Sequence, residues 1–145
     1  MQRVARARVD VGAECIAEMG EGLLVLVGVG RRDSESDADE LARKITGLRI
    51  FEDAEGRMNR SLVETGGTLG LVSQFTLWAD ARKGRRPSFA EAEEPERAEW
   101  LFERLCQQAR TLSVPVVTGR FGADMSVSLV NAGPVTVLLD TELVF

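Results

Sequence analysis

Residues 4–27 read VARARVDVGAECIAEMGEGLLVLV, and three patterns follow one another in them. Val4 to Val11 alternates, with valines at 4, 9 and 11 and arginines at 6 and 8, as a half-buried strand does. Gly12-Ala13 is a turn, and Glu14 to Met19 is the expected hairpin partner. Leu23 to Val27 does not alternate, so it reads as a central strand buried on both faces. A hairpin-like start favours a mixed or antiparallel sheet over a doubly wound one.

Downstream, Asp33 to Asp39 is acidic and carries Ser34 and Ser36, one of which should cap a helix. The stripe of that helix is Ala38, Leu41, Ala42, Ile45 and Leu48. Gly47 lies inside its last turn or ends it. Arg49-Ile50-Phe51 starts a short strand, Asp53 to Gly56 is a turn, and Gly56 to Ser61 reads as a hairpin turn and return strand. Leu69 to Leu77 is the next strand. Arg82 to Pro87 is a loop. A second helix starts near Pro95 with Ala98, Leu101, Phe102, Leu105, Cys106, Ala109 and Leu112 as its apolar face, and Pro115 blocks its continuation. Val116 to Thr118, Met125 to Val130 and Val135 to Leu139 are the closing strands. The expected fold class is α/β: a mixed, largely antiparallel, barrel-like curled sheet with two main helices, in a single domain spanning 1–145. The apolar run Val135 to Leu139 calls for cover on both faces. Two helices are too few for that, so a second copy of the chain is the expected cover.

Composition excludes several chemistries. The chain has no histidine, which removes Ser-His-Asp and Cys-His catalysis and histidine-bearing metal sites. Cys15 and Cys106 are isolated, belong to no CxxC pair and read as buried free thiols suited to a reducing compartment. No structural zinc and no cofactor are expected; a carboxylate magnesium site stays open, with Asp124, Asp140 and Glu142 as scattered donors. The basic N-terminus lacks the apolar block of a signal peptide, and no run is long enough to span a membrane. Its arginines alone would suit a mitochondrial address, but the segment runs straight into the first strand, so the cytoplasm is expected.

Three stretches carry candidate chemistry. Ser73-Gln74-Phe75-Thr76-Leu77 ends an apolar strand in polar side chains. It is either a strand terminus with local hydrogen bonds or a set of exposed amides able to hold an oxyanion. Asn131-Ala132-Gly133-Pro134 is either a tight turn or a special backbone geometry that aims carbonyls outward. Arg82, Lys83, Arg85 and Arg86 form the densest basic cluster, either a phosphate contact or a solvated loop. A net charge of −5 allows one local basic face but not a general nucleic-acid coat. Gly28-Val29-Gly30 lacks the third glycine of a dinucleotide fingerprint.

These pieces, taken in order with Arg3-Val4, Gly22 to Val25, Lys44-Ile45, Leu48 to Phe51, Gly56 to Asn59, Arg86 to Phe89 and Thr118 to Met125, resemble the D-aminoacyl-tRNA deacylase family across nearly the whole chain. Departures are small: Ala132 stands where an acidic residue is common, and Arg57 where lysine is. The Ala132 departure puts in doubt any role for a charge beside Gly133-Pro134. The phenylalanine at 75 is similar to the widespread branch of the family, not to the animal branch that corrects misacylated L-alanine.

The resemblance implies hydrolysis of the ester between a D-amino acid, or glycine, and the terminal adenosine of tRNA. It implies a homodimer with active sites at the subunit boundary, where a cis Gly133-Pro134 pair enters the partner's pocket and excludes L side chains. Phe75, Thr76, Gly133 and Pro134 would be the catalytic set; Ser73, Gln74, Met125 and Asn131 would bind substrate. The tRNA 2′-hydroxyl would assist attack, with the Phe75 or Thr76 amide as oxyanion donor. A covalent role for Thr76 ranks lower, because no base is evident beside it. Two rivals remain: a non-catalytic tRNA- or nucleotide-binding module, and a carboxylate-magnesium phosphohydrolase.

Overall fold

The alternation of the first segment becomes β1 (Gln2–Val11), whose Val4, Ala7 and Val9 are buried while Ala5, Arg6 and Arg8 are exposed. The structure, a computed structural model, describes residues 1–142. The domain expectation runs to Phe145, and its last three residues lie outside the described ones. After the Gly12 turn, β2 (Glu14–Met19) pairs antiparallel with the second half of β1; β3 (Gly22–Val27) pairs antiparallel with the first residues of β1. The two therefore follow one another along one edge of β1. β3 then pairs in parallel with β6 (Thr68–Ser73), and β6 in parallel with β7 (Val116–Thr118). β8 (Ser126–Thr136) lies antiparallel on the other edge of β1. β4 (Phe51–Glu52) and β5 (Met58–Arg60) form a separate small hairpin. The main sheet is thus antiparallel around β1 and parallel through β3, β6 and β7. It curls until β2 approaches β7, the mixed, barrel-like sheet expected.

The parallel steps require long crossovers, and these carry the helices. α1 (Glu35–Gly47) lies in the first crossover. Its N-cap is Ser34, closed by the Asp37 carboxylate accepting from the Ser34 backbone N–H at 2.9 Å. A one-turn helix, α2 (Leu62–Thr65), is also present there, capped by Ser61 with Glu64 in the same reciprocal box. Four residues carry too little periodicity to read from sequence. α3 (Pro95–Thr111) forms the second crossover and buries Ala98, Leu101, Phe102, Leu105, Cys106 and Ala109, as its stripe requires. α1 and α3 lie side by side over one face of the sheet, joined by Arg104, which donates to both Asp39 carboxylate oxygens at 2.8 Å. Beneath them Leu23, Ile45, Leu62, Leu69, Leu71 and Leu105 are sealed, each worth about 1.5–3 kcal/mol of transfer free energy. A second cluster, Val4, Ala7, Val9, Ala17, Met19, Leu24 and Val72, fills the inside of the curl. β3 contributes to both clusters, which is why its sequence does not alternate. No helix among the described residues is long and apolar enough to cross a membrane.

Four expectations need correction. The strand expected over Leu69 to Leu77 ends at Ser73, and Phe75–Trp78 forms a 3-10 turn. Gln74 makes the change of direction, its N–H still bonded to the Val27 carbonyl at 2.7 Å. The separate strands over Met125 to Val130 and Val135 to Leu139 are one strand, β8, which ends at Thr136. Val137 and Leu139 pack against the helix-side core while Leu138 is exposed, so within one chain this run is covered on one face only. The short strand starts at Phe51, not Arg49. Cys15 is exposed at the turn end of β2, since the register shift between Val9 and Asp10 pairs it with Asp10 and takes it off the buried face of Ala17 and Met19; Cys106 is buried as expected, and desolvation pushes its thiol up to about 11.

Candidate functional site

Asn131-Ala132-Gly133-Pro134-Val135 is neither a turn between strands nor regular strand. In the β1–β8 ladder Val4 faces Asn131 and Gln2 faces Thr136, so Ala132–Val135 stands opposite Arg3 alone. The surplus chain leaves the sheet as a wide bulge. Two side chains, Asn131 and Arg3, hold its shape. Asn131 Oδ1 accepts the Val135 N–H at 3.0 Å, and its Nδ2 donates to Thr136 Oγ1 at 3.3 Å, closing the base. Arg3 donates from Nε to the Ala132 carbonyl at 3.1 Å and from Nη1 to the Ile50 carbonyl at 2.8 Å, with Glu52 as a weaker counter-charge at 3.6 Å. Its side chain is only 11% exposed, so these bonds work away from bulk water. Gly133 sits at φ +126, the Gly133-Pro134 bond is cis, and both residues are exposed at the tip. Asn131 thus serves the bulge itself. Arg3, which sequence reading did not place among the site residues, is the strut that ties the bulge to the sheet. Its signal was faint: an arginine on a strand that also holds two exposed ones.

The second candidate lies at the carboxyl ends of the parallel strands, where ligands bind in sheets of this kind. Ser73 closes β6 opposite Val27, and the 3-10 turn then presents Phe75, Thr76 and Leu77 to solvent, Phe75 being 59% exposed. Trp78 seats this turn. Its indole lies against Gly28 and Gly30 at the end of β3, so closely that a Cβ on Gly30 would stand 2.3 Å from Trp78 Cζ2. That contact explains the two glycines which do not form a dinucleotide fingerprint. Gln74 Nε2 donates to Thr76 Oγ1, and among the described residues no carboxylate or lysine amine bonds that hydroxyl. Met125 is half-buried before β8, its sulfur against Gly119.

Register sets the two candidates three strands apart and at different levels of the sheet: Arg3, opposite the bulge, is level with Leu23 and Leu69, whereas Ser73 pairs with Val27, further along β3 and β6. The structure does not bring Gly133 and Pro134 against Phe75 and Thr76 within one chain. Neither a narrow cavity inside the curl nor a groove of about 270 Å³ between α3 and Phe121 is lined by either set.

The basic loop separates into two parts. Asp80 and Ser88 exchange both backbone hydrogen bonds, 2.8 and 2.9 Å, and close its base. Arg82, grouped with the other cations in sequence, folds back onto Asp80 in a pair of 2.8 Å bonds. These hold the Asp80 carboxyl far below the usual carboxylate range. Lys83, Arg85 and Arg86 are exposed at the tip, and among the described residues no carboxylate pairs with them. Replacing Arg85 and Arg86 together by alanine should flatten the salt dependence of tRNA binding, each lost phosphate contact lowering the log–log slope by about 0.7–0.9. A salt titration with an unchanged slope would make the tip a solvated loop. Among the described residues no group of three metal-ligating side chains gathers, so the donors considered for a magnesium centre stay apart.

A family model described as D-Tyr-tRNA(Tyr) deacylase matches residues 1–140. The D-aminoacyl-tRNA deacylase of Symbiobacterium thermophilum is 54% identical over 145 residues, covering all of this chain and 96% of that one. The protein of the same description from Roseiflexus is 54% identical over 143 residues, 99% of this chain and 92% of its own. Among solved structures, one described as c-Myc DNA Unwinding Element Binding Protein superposes with a TM-score of 0.90 at 38% identity, over 97% of this chain and 95% of that one. A probable eukaryotic D-amino acid tRNA deacylase shares the fold at 19% identity, with a TM-score of 0.76 over 92% of each chain. The chain belongs to the D-Tyr-tRNA(Tyr) deacylase family.

Proposed function

We propose that this protein hydrolyses the ester of D-aminoacyl-tRNA, and of glycyl-tRNA, in the cytoplasm, releasing the amino acid and reusable tRNA. The observation that carries the reading is the Arg3-braced bulge, which turns Gly133 and Pro134 outward and away from their own chain's Phe75 and Thr76. A protruding backbone element without a pocket in its own chain is suited to a second copy's pocket. β8 offers the surface for that: it pairs with β1 on one edge only, among the described residues, and exposes Leu129 and Val130. In the homodimer, the bulge carbonyls of one protomer face the amino group of the substrate held by its partner and leave no room for an L side chain. Glycine has no side chain to reject.

The chemistry needs no histidine. The 2′-hydroxyl of the terminal ribose assists attack on the ester carbonyl, and the Phe75 or Thr76 amide donates to the developing oxyanion. Ser73, Gln74 and Met125 bound the adenosine end, and Lys83, Arg85 and Arg86 at the loop tip meet tRNA phosphates. Purified protein should release tyrosine from D-tyrosyl-tRNA and spare L-tyrosyl-tRNA; equal rates on both would end the proposal. Thr76→Val should keep measurable turnover, and an acyl-enzyme trapped on Thr76 would replace the 2′-hydroxyl route. Sedimentation at micromolar concentration should give twice the chain mass of 15.9 kDa, and a single species of that mass would remove the cross-subunit pocket.

A second reading, nucleic-acid binding without catalysis, draws on the 38% identical structure whose description names a DNA element. Binding of uncharged tRNA with no turnover of any D-aminoacyl-tRNA would favour it.

A further inference from the structure

The exposed Phe75 ring has one aromatic neighbour among the described residues: Phe89, edge-on at 5.1 Å with an interplanar angle of 69°. We propose that Phe89 is a positioning residue that fixes the Phe75 ring, and through it the Phe75 and Thr76 amides, against the end of β3. This rests on the deacylase reading above.

Phe89 is held far more firmly than the loop before it. It follows Ser88, whose two backbone bonds to Asp80 close the loop base. Its own carbonyl accepts the Ala92 N–H at 3.1 Å. Ala92 bridges Gly30, the Glu93 N–H reaches the Val29 carbonyl at 2.9 Å, and the Glu91 carbonyl accepts the Arg31 N–H at 3.1 Å. Segment 89–93 is therefore stitched to Val29–Arg31, the stretch of chain whose Gly30 lies under Trp78. The 3-10 turn is held at both ends from one foundation: Trp78 directly, and Phe75 through Phe89. Without Phe89 the Phe75 side keeps only its polar backbone bonds, and a short 3-10 turn is poorly stabilised by those. An amide that must meet an oxyanion tolerates little displacement.

Steady-state deacylation of D-tyrosyl-tRNA separates this from a merely structural role. Phe89→Ala should lower kcat by about tenfold, with KM and melting temperature little changed, as the upper range for an aromatic pair allows. Phe89→Tyr keeps the ring edge and should restore most of the rate. If Phe89 acts through Phe75, Phe75→Ala combined with Phe89→Ala should be no slower than Phe75→Ala alone. Multiplied deficits, a loss confined to KM, or an unimpaired Phe89→Ala enzyme would each overturn the proposal. A readout that does not depend on activity is the ¹⁹F resonance of 4-fluorophenylalanine incorporated at position 75. Phe89→Ala should move it in the free protein; an unmoved resonance would overturn the proposal. Absence of turnover by the unmutated protein would defeat the deacylase reading while leaving this fluorine test intact.

Discussion

Gly133→Ala is expected to cut the deacylation rate by about 100-fold in a protein that still folds. At φ +126 an L side chain is strained, at a cost of about 1–3 kcal/mol. A Cβ there would also meet Val135 Cγ2 at 2.8 Å and Arg3 Nη2 at 3.0 Å. Neither neighbour yields freely. Arg3 is held by the Ala132 and Ile50 carbonyls, and the Val135 N–H is bonded to Asn131. The bulge must therefore shift, and the Gly133 and Ala132 carbonyls with it. Folding survives because Gly133 is exposed at the tip and belongs to neither core cluster. A displacement near 1 Å costs about 100-fold when chemistry depends on position. Single-turnover hydrolysis of D-tyrosyl-tRNA measures this directly. A rate within threefold of the unmutated enzyme, roughly 0.7 kcal/mol, would mean that bulge geometry does not serve the reaction. Any surviving turnover should discriminate less well against L-tyrosyl-tRNA.

Gly30→Ala should impair the other half of the site and also lower stability. The added methyl would stand 2.3–2.8 Å from three atoms of the Trp78 indole, a rigid group that must move as a whole. Overpacking of this kind costs about 1–3 kcal/mol. For a domain of this size that is a fall of roughly 3–10 °C in melting temperature. Trp78 shares its 3-10 turn with Phe75 and Thr76, so its displacement carries the proposed oxyanion donors away, again with a loss near 100-fold. Gly28→Ala is the graded control. Its Cβ would meet Leu77 Cβ at 3.0 Å and Trp78 Cδ1 at 3.1 Å, a tighter fit but not an overlap, so both deficits should be smaller. Calorimetry and deacylation rates on the two variants decide it. A Gly30→Ala protein with unchanged melting temperature and rate would show that the indole has another place to go.

Much of the architecture was legible because local pattern and burial agree along most of the chain. The β1–β2 hairpin and the apolar stripes of α1 and α3 follow from periodicities of two and 3.6, and the doubly buried β3 from an apolar run that does not alternate. The candidate site was legible only as ordered motifs. Ser73 to Leu77 looks like the end of a strand, because Phe, Thr and Leu suit a strand as well as a 3-10 turn. What turns the chain at Gln74 is a hydrogen bond to Val27 and a tryptophan seated on glycines more than forty positions earlier. Val135 to Leu139 looks like a buried strand for the same reason: hydropathy does not reveal that the ladder ends at Thr136.

The sequence by itself determined which segments pair with the core, the exclusion of histidine chemistry, and, through its ordered motifs, the family. Those properties reside in residue type and spacing along the chain. Tertiary structure alone decided that Ala132–Val135 bulges out opposite Arg3, that Arg82 is bound to Asp80 while Arg85 and Arg86 stay free of carboxylate partners among the described residues, and that the two halves of the site stand strands apart and at different levels of the sheet. Each of these is a matter of register or of a contact between distant positions. A shift of one residue in pairing changes the face of every side chain beyond it, and no local pattern encodes which carbonyl a guanidinium will reach.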